Sequence, residues 1–222
     1  MPRGARVVLP GYIYHVTQRG NNRQHIFQET NDYILYLKRI EEYRQKYKVQ
    51  IYAYCIMGNH VHFILSPQKE DSMAQMFRGV HMRYAKYYQK KTKSSGHVWQ
   101  GRYFSCLLSE SHVVQAVRYV ELNPVRARMV EKAWQYAWSS ARAHLGNQYR
   151  WIQIEPLEGI LKIEDYKKYL QGDEEECFLK DLRGQTKKNL ALGSKEFIIE
   201  LERKMGRQIQ AKPMGRPKKN EK

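Results

Sequence analysis

The chain has 222 residues, 42% of them hydrophobic, with 39 Lys or Arg against 22 Asp or Glu and a net charge of +17. That length suits one full domain with an appendage and is thin for two complete ones; no run of about eighteen apolar residues offers a membrane span. Three scattered cysteines (Cys55, Cys106 and Cys177) without a C-x-x-C pair argue against a disulfide framework or a zinc knuckle.

Residues 12–17 are rich in aromatic and β-branched side chains and read as a strand, followed by a turn over 19–23. Thr30 or Asn31 is placed to cap a helix reaching about Lys46, with Tyr33, Tyr36, Leu37, Ile40, Tyr43 and Tyr47 at helical spacing. Residues 49–57 read as a second strand, Gly58-Asn59 as a two-residue turn and 60–66 as a third strand, together a hairpin. A second helix covers 72–92, with Met73, Met76, Phe77, Val80, Tyr84, Tyr87 and Tyr88 three and four apart, until Ser94-Ser95-Gly96 breaks it. Residues 98–108 form a fourth extended segment. Ser109 or Ser111 caps a third helix, expected to stop near Asn123 because a residue before proline is biased away from helix. Trp134, Tyr136, Trp138 and the Ser139-Ser140 pair close this region. The order β-α-β-β-α-β predicts an α+β, ferredoxin-like antiparallel sheet with helices on one face, plus the helix that follows.

Beyond about residue 146 the composition shifts. Residues 155–185 alternate acidic and basic patches, and 194–205 read as a short amphipathic helix. Residues 203–222 carry eight basic residues and one acid, a tail expected to be mobile when free. The charge excess is +13 within 1–145 and +4 within 146–222. A polyanionic partner follows, because clustered Lys and Arg release counterions from a phosphate backbone. No apolar leader stands at the start, so a cytoplasmic protein is expected.

Two pieces of the sequence carry chemistry. On a strand His60 and His62 point the same way, so both imidazoles can chelate one metal ion; an ordinary hydrogen-bonded pair has the same spacing. Tyr119 and Asn123, four apart, share a helix face. The Asn123 amide oxygen is a hard donor suited to Mg²⁺ or Mn²⁺, although Asn before Pro is also a common helix terminator. Together, two imidazoles and one amide oxygen leave positions open for a phosphate oxygen, and the cation would position phosphorus for in-line attack. Ionising a phenol at pH 7 costs about 4 kcal/mol, which a nearby cation reduces, and a phenolate conserves bond energy in a phosphotyrosine link.

Five blocks now stand in order. They are Tyr14-His15-Val16-Thr17-Gln18-Arg19-Gly20-Asn21, Met57-Gly58-Asn59-His60-Val61-His62-Phe63, Gly101-Arg102-Tyr103, Tyr119-Val120-Glu121-Leu122-Asn123-Pro124-Val125-Arg126-Ala127 and Trp138-Ser139-Ser140. Over residues 7–145 this resembles the IS200-type single-tyrosine transposases of the His-hydrophobe-His (HUH) nuclease superfamily, and among them the REP-associated tyrosine transposases. The resemblance implies a divalent metal on His60, His62 and Asn123, and Tyr119 as the group that attacks the strand. It implies a 5′-phosphotyrosyl link with a free 3′-hydroxyl, and a substrate of single-stranded DNA with imperfect hairpins. It divides the chain into a catalytic domain over 1–145 and a basic, partly helical DNA-binding extension over 146–222. IS200-type relatives are homodimers with exchanged helices; the subgroup and the longer extension favour a monomer. The subgroup usually has Pro where this chain has Gly58, so a looser hairpin with intact chemistry is expected.

Residues 72–106 hold seven Lys or Arg and no acid, interleaved with aromatics, a pattern suited to unstacked single strands. Phe77, Tyr84, Tyr88 and Phe104 read as core; Arg78, Arg83, Lys90 and Arg102 are the better contacts. Arg19, Asn21 and Arg23 are expected near a hairpin. Arg216, within Gly215-Arg216-Pro217-Lys218-Lys219, resembles a minor-groove hook as much as a solubilising tail. Competing readings are a catalytically silent nucleic-acid-binding regulator, and a rolling-circle replication or relaxase-type nuclease, which often places its Tyr ahead of the histidines or uses three of them. A hydrolytic zinc enzyme lacks its H-E-x-x-H spacing here.

Overall fold

The computed structural model describes residues 8–147, 151–157, 165–206 and 208–209. Along the chain come β1 (Ile13–Arg19), α1 (Thr30–Lys46), β2 (Val49–Met57), β3 (His60–Pro67), α2 (Ser72–Thr92), β4 (Phe104–Leu108) and α3 (Glu110–Glu121). They are followed by α4 (Asn123–Arg126), α5 (Ala141–His144), α6 (Tyr166–Gln171), α7 (Glu176–Lys188), β5 (Ala191–Leu192) and α8 (Lys195–Met205). The sheet order is β2-β3-β1-β4-β5. The first four strands are antiparallel neighbours, as the β-α-β-β-α-β order predicts. A fifth strand from the C-terminal region, β5, adds to this sheet by pairing parallel to β4.

The pleat sends alternate residues to opposite faces. Val61, Phe63 and Leu65 of β3 join Tyr14 and Val16 of β1 against the apolar stripes of α1 (Tyr36, Leu37, Ile40) and α2 (Met76, Phe77, Val80, Tyr84). On the other face Ile64, Cys106 and Leu108 meet Val113, Ala116, Val117 and Val120 of α3 and Phe178 and Leu182 of α7. In β2 a bulge between Ile51 and Ala53 flips the parity, so Ile51 serves the first core and Ala53 the second. Covered on both sides, β2 and β3 are buried over almost their whole length, which is why they read as near-continuous apolar runs. His60 and His62 lie on the α3 side by the same parity, while α1 and α2 share the opposite side.

Several boundaries differ from expectation, each for a local reason. The cap of α1 is Glu29 rather than Thr30 or Asn31. The Asp32 carboxylate accepts the N–H groups of Gln28 and Glu29 and is itself held by the Tyr87 hydroxyl and the Lys91 ammonium of α2, which ties the start of one helix to the end of the other. The fourth strand begins only at Phe104. Residues 98–103 instead cross the end of β1, where Val98 accepts the Asn21 N–H and Arg19 accepts the Gln100 N–H, and Gly101 turns at φ 130°. The chain does not leave helical geometry at Pro124. Leu122 stays right-handed between α3 and α4, and Pro124 falls in the first turn of α4, where a missing N–H costs nothing. Trp138 stacks on Tyr33 at 4.6 Å, and its carbonyl accepts the Ile56 N–H, so the tryptophan-serine block adds backbone pairing along β2.

Beyond residue 146, α7 and β5 extend the same sheet and its second core. The amphipathic segment read over 194–205 is α8, with the Ser194 hydroxyl accepting the Phe197 N–H at its start. Among the described residues no helix is long and apolar enough to cross a membrane. Cys55 and Cys106 are buried thiols and Cys177 is exposed. Arg216 and the stretch 215–219 lie outside the described residues.

Candidate active site

Strand β3 starts at a turn that the sequence made look loose. The Gly58 carbonyl accepts N–H groups from both Ile26 and Phe27, and the Asn59 side chain donates to the Arg23 carbonyl. A Cβ on Gly58 would sit 2.8 Å from Nδ1 of His25. The expected looser hairpin is therefore a clamped one, and a larger residue at 58 would have to displace the His25 side chain.

From this rigid start His60 and His62 project into a cavity of about 540 Å³ whose wall also includes Tyr119 and Asn123. The two imidazole centroids are 5.0 Å apart, and the Tyr119 ring stands edge-on to His62 at 5.7 Å. The amide nitrogen of Asn123 donates to the carbonyls of Tyr119 and Val120. Its oxygen is thus the end of the amide with acceptor capacity to spare. Burial, then the Arg19 charge, pushes His60 down to about 4. Burial also takes His62 well below the ordinary histidine value, with His60, His15 and two arginines adding to it. Both rings are neutral at pH 7, the form in which imidazole offers a lone pair to a metal.

The donor set of two neutral imidazoles and one amide oxygen suits a divalent ion with open positions. Among the described residues no group of three or more His, Cys, Asp or Glu side chains is arranged to hold a metal; the candidate third donor, Asn123, is an amide. Among the described residues no carboxylate lines the cavity, whereas Arg19, Arg23, Arg183 and Lys187 do. That charge balance favours a phosphodiester over a cationic or neutral substrate.

Around the phenol the structure adds residues to which the sequence reading gave no role. The Arg126 guanidinium lies 4.3 Å over the Tyr119 ring, donates to the Tyr119 carbonyl and pairs with Glu174 at 2.7 Å. Arg183 also approaches the ring, its Nε 3.5 Å from the phenol oxygen. His15 on β1 is buried behind His62, with 2.8 Å between His15 Nε2 and His62 Nδ1. Thr186 of α7 contacts the other nitrogen of His15 at 2.8 Å. The signal for α7 was present in Phe178, Leu182 and Thr186, spaced four apart in a stretch read only as alternating charge.

Of the expected DNA contacts, Arg19 and Arg23 line the cavity. Asn21 sits between them in a 3-10 turn with its N–H committed to Val98. Arg102 is exposed on the 98–103 loop. Arg78, Arg83 and Lys90 are exposed on α2, across the sheet from the cavity, and Arg83 lies over the Tyr43 ring at 5.7 Å. The structure does not bring these three to Tyr119. The aromatics interleaved with them, Phe77, Tyr84, Tyr88, Trp99 and Tyr103, are core rather than stacking platforms. Phe104, read as core, is half-buried and lines the cavity.

Comparison with known proteins bears on this site. A pattern for IS200-like transposases matches residues 9–123, just over half of the chain, and so spans His60, His62, Tyr119 and Asn123. No protein among those with curated descriptions matches. A REP-associated tyrosine transposase solved bound to a REP hairpin is similar in fold, with TM-score 0.56, 17% identity, and coverage of 74% of this chain and 96% of that one. A candidate transposase from Deinococcus radiodurans R1 aligns at TM-score 0.38 and 16% identity over 55% of this chain and 96% of its own, too weakly to carry an argument. The chain belongs to the IS200-like transposase family.

Proposed function

We propose that this transposase cleaves and rejoins hairpin-bearing single-stranded DNA with Tyr119 as the nucleophile, and that His60, His62 and Asn123 hold a divalent cation. The observation that carries the reading is one cavity whose wall includes Tyr119, His60, His62 and Asn123 together with four cationic side chains and, among the described residues, no acid. A bound Mg²⁺ or Mn²⁺ supplies Lewis-acid charge against a phosphate oxygen. Tyr119 attacks phosphorus, forming a 5′-phosphotyrosyl ester; the 3′ oxygen leaves and takes a proton to become a hydroxyl. Reversal rejoins the strand without ATP. Arg183 is placed to hold the phosphate under attack, and Arg126 keeps the Tyr119 ring and backbone in position. Arg19 and Arg23 extend the positive wall along which the strand would lie. A hairpin substrate is supported by the fold's likeness to a transposase solved with a REP hairpin.

Helix α3 folds back to set Tyr119 against His62 of its own chain, which supports a monomer over a dimer with exchanged Tyr119 helices. The 146–222 region then acts partly as catalytic wall, through Arg183 and Lys187, and partly as a DNA-binding extension. The test is a labelled hairpin oligonucleotide incubated with Mg²⁺ or Mn²⁺ and run on a denaturing gel. Wild type is expected to yield a covalent adduct that EDTA prevents, and Tyr119→Phe to yield none while binding the hairpin within about twofold of wild type. Adducts from Tyr119→Phe would remove the nucleophile assignment. Binding with no cleavage of any hairpin would mark a silent regulator.

A further inference from the structure

The metal reading leaves a question behind the ligands: what makes each histidine present a lone pair, rather than an N–H, to the cavity. An imidazole carries its proton on either nitrogen, and the partner of one nitrogen decides the state of the other. For His62 that partner can be traced through the core. The Thr186 hydroxyl lies 2.6 Å from the Leu182 carbonyl one turn earlier in α7. A carbonyl oxygen only accepts, so the Thr186 proton is committed there and Thr186 Oγ1 can only accept from His15. His15 Nδ1, 2.8 Å away, is therefore the donor. With its one proton on Nδ1, the neutral His15 ring, buried at 1% exposure, offers Nε2 as an acceptor. At 2.8 Å from that acceptor, His62 Nδ1 must carry a proton. The two rings are nearly coplanar, 11° apart, as an in-plane N–H···N bond requires.

We propose that His15, oriented by Thr186 of α7, is a positioning residue that holds His62 as the Nδ1–H tautomer and so turns its Nε2 lone pair toward the metal position. Asn59 does the same for His60. Its amide nitrogen donates to the Arg23 carbonyl, which leaves Oδ1 to accept from His60 Nδ1 at 2.6 Å. Both ligands are thereby set in one tautomer by neighbouring side chains. One of the two chains of bonds ends in a helix beyond the segment that marks the family. Metal-binding histidines are generally oriented in this way, and loss of the outer partner costs about 10–100-fold in metal affinity.

This inference rests on the metal reading, and the experiments separate the two. In full-length, metal-free protein labelled with ¹⁵N-histidine, long-range ¹H–¹⁵N correlation is expected to show His62 protonated on Nδ1, its signals identified by their absence in His62→Ala. Protonation on Nε2 would overturn the proposal whether or not any variant folds. In Mn²⁺ titrations, His15→Phe, which keeps a planar ring and removes both nitrogens, is expected to weaken binding about 10–100-fold. His15→Gln restores an acceptor facing His62 and is expected to recover most of that loss. Hairpin affinity in EDTA should stay within twofold of wild type for both. Wild type that binds no Mn²⁺ would defeat the metal reading and leave the tautomer result standing. Wild type that binds Mn²⁺ no better than His15→Phe would defeat the role given to His15.

Discussion

Arg183 shows how one side chain gains a role from position alone. Its Nε stands 3.5 Å from the Tyr119 hydroxyl and its guanidinium 5.5 Å from the ring centroid. Arg126, by contrast, shares its charge with Glu174 and spends a donor on the Tyr119 backbone, so it is chiefly a prop. In the proposed reaction a planar guanidinium beside the Tyr119 oxygen would meet charge that develops on the phosphate. Losing one hydrogen bond to a charged group costs about 1.5–3 kcal/mol. Arg183→Ala is therefore expected to slow adduct formation about ten- to a hundredfold in single-turnover assays, with a smaller change in hairpin affinity. A rate within twofold of wild type would remove Arg183 from the chemistry. Glu121, within the tyrosine block, has a different logic. Fully buried, it accepts from the Ser140 hydroxyl, His144 and the Tyr166 hydroxyl; it fastens the end of α3 to two later segments and leaves the cavity to its neighbours.

At the scale of elements, α1, α2, β2 and β3 were legible because their periodicity is strong and long. Tyr36, Leu37, Ile40 and Tyr43 are the buried face of α1, as their spacing predicts. What the sequence reading passed over was α7, whose few apolar positions keep helical spacing but are sparse among charges. Its packing joins two jobs on one helix: Phe178 and Leu182 complete the second core, and Arg183, Thr186 and Lys187 reach the cavity wall. Leu182 is fully buried. Leu182→Ala is expected to cost about 2–5 kcal/mol, the usual range for a leucine truncated in a core, in a single cooperative urea transition. It should also lower adduct formation, because Arg183 and Thr186 follow within one turn. A separate early transition with the main one unchanged would show that α7 is a peripheral flap.

For the whole molecule, stability against acid follows from a histidine remote from the cavity. His81 is packed between Phe77 and Trp99, bonds the Tyr36 hydroxyl at 3.1 Å, and is pushed by burial to about 3. An unfolded chain protonates the same ring near 6.5. Between those values the unfolded state binds a proton that the native state refuses, so stability falls as pH drops through 6.5 toward 3. From pH 7 to pH 5 this one group accounts for about 2 kcal/mol of lost stability. His81→Gln, which cannot titrate, is expected to lose about that much less over the same interval in thermal or urea unfolding. An identical acid loss in both proteins would show that His81 titrates normally.

By itself the sequence determined what is local or repeated: the strand and helix periods, the strand-turn-strand that aligns His60 with His62, the four-residue step from Tyr119 to Asn123, and the charge that calls for a polyanion. Side-chain parity on a strand and on a helix needs only neighbours in the chain. The tertiary structure decided everything that depends on which face meets which. It placed α2 and its arginines across the sheet from Tyr119, closed the cavity with a helix some 60 residues downstream, and set His15 behind His62. Contacts between residues far apart in sequence are fixed by how two cores are filled at once, and a one-dimensional pattern carries no record of that filling.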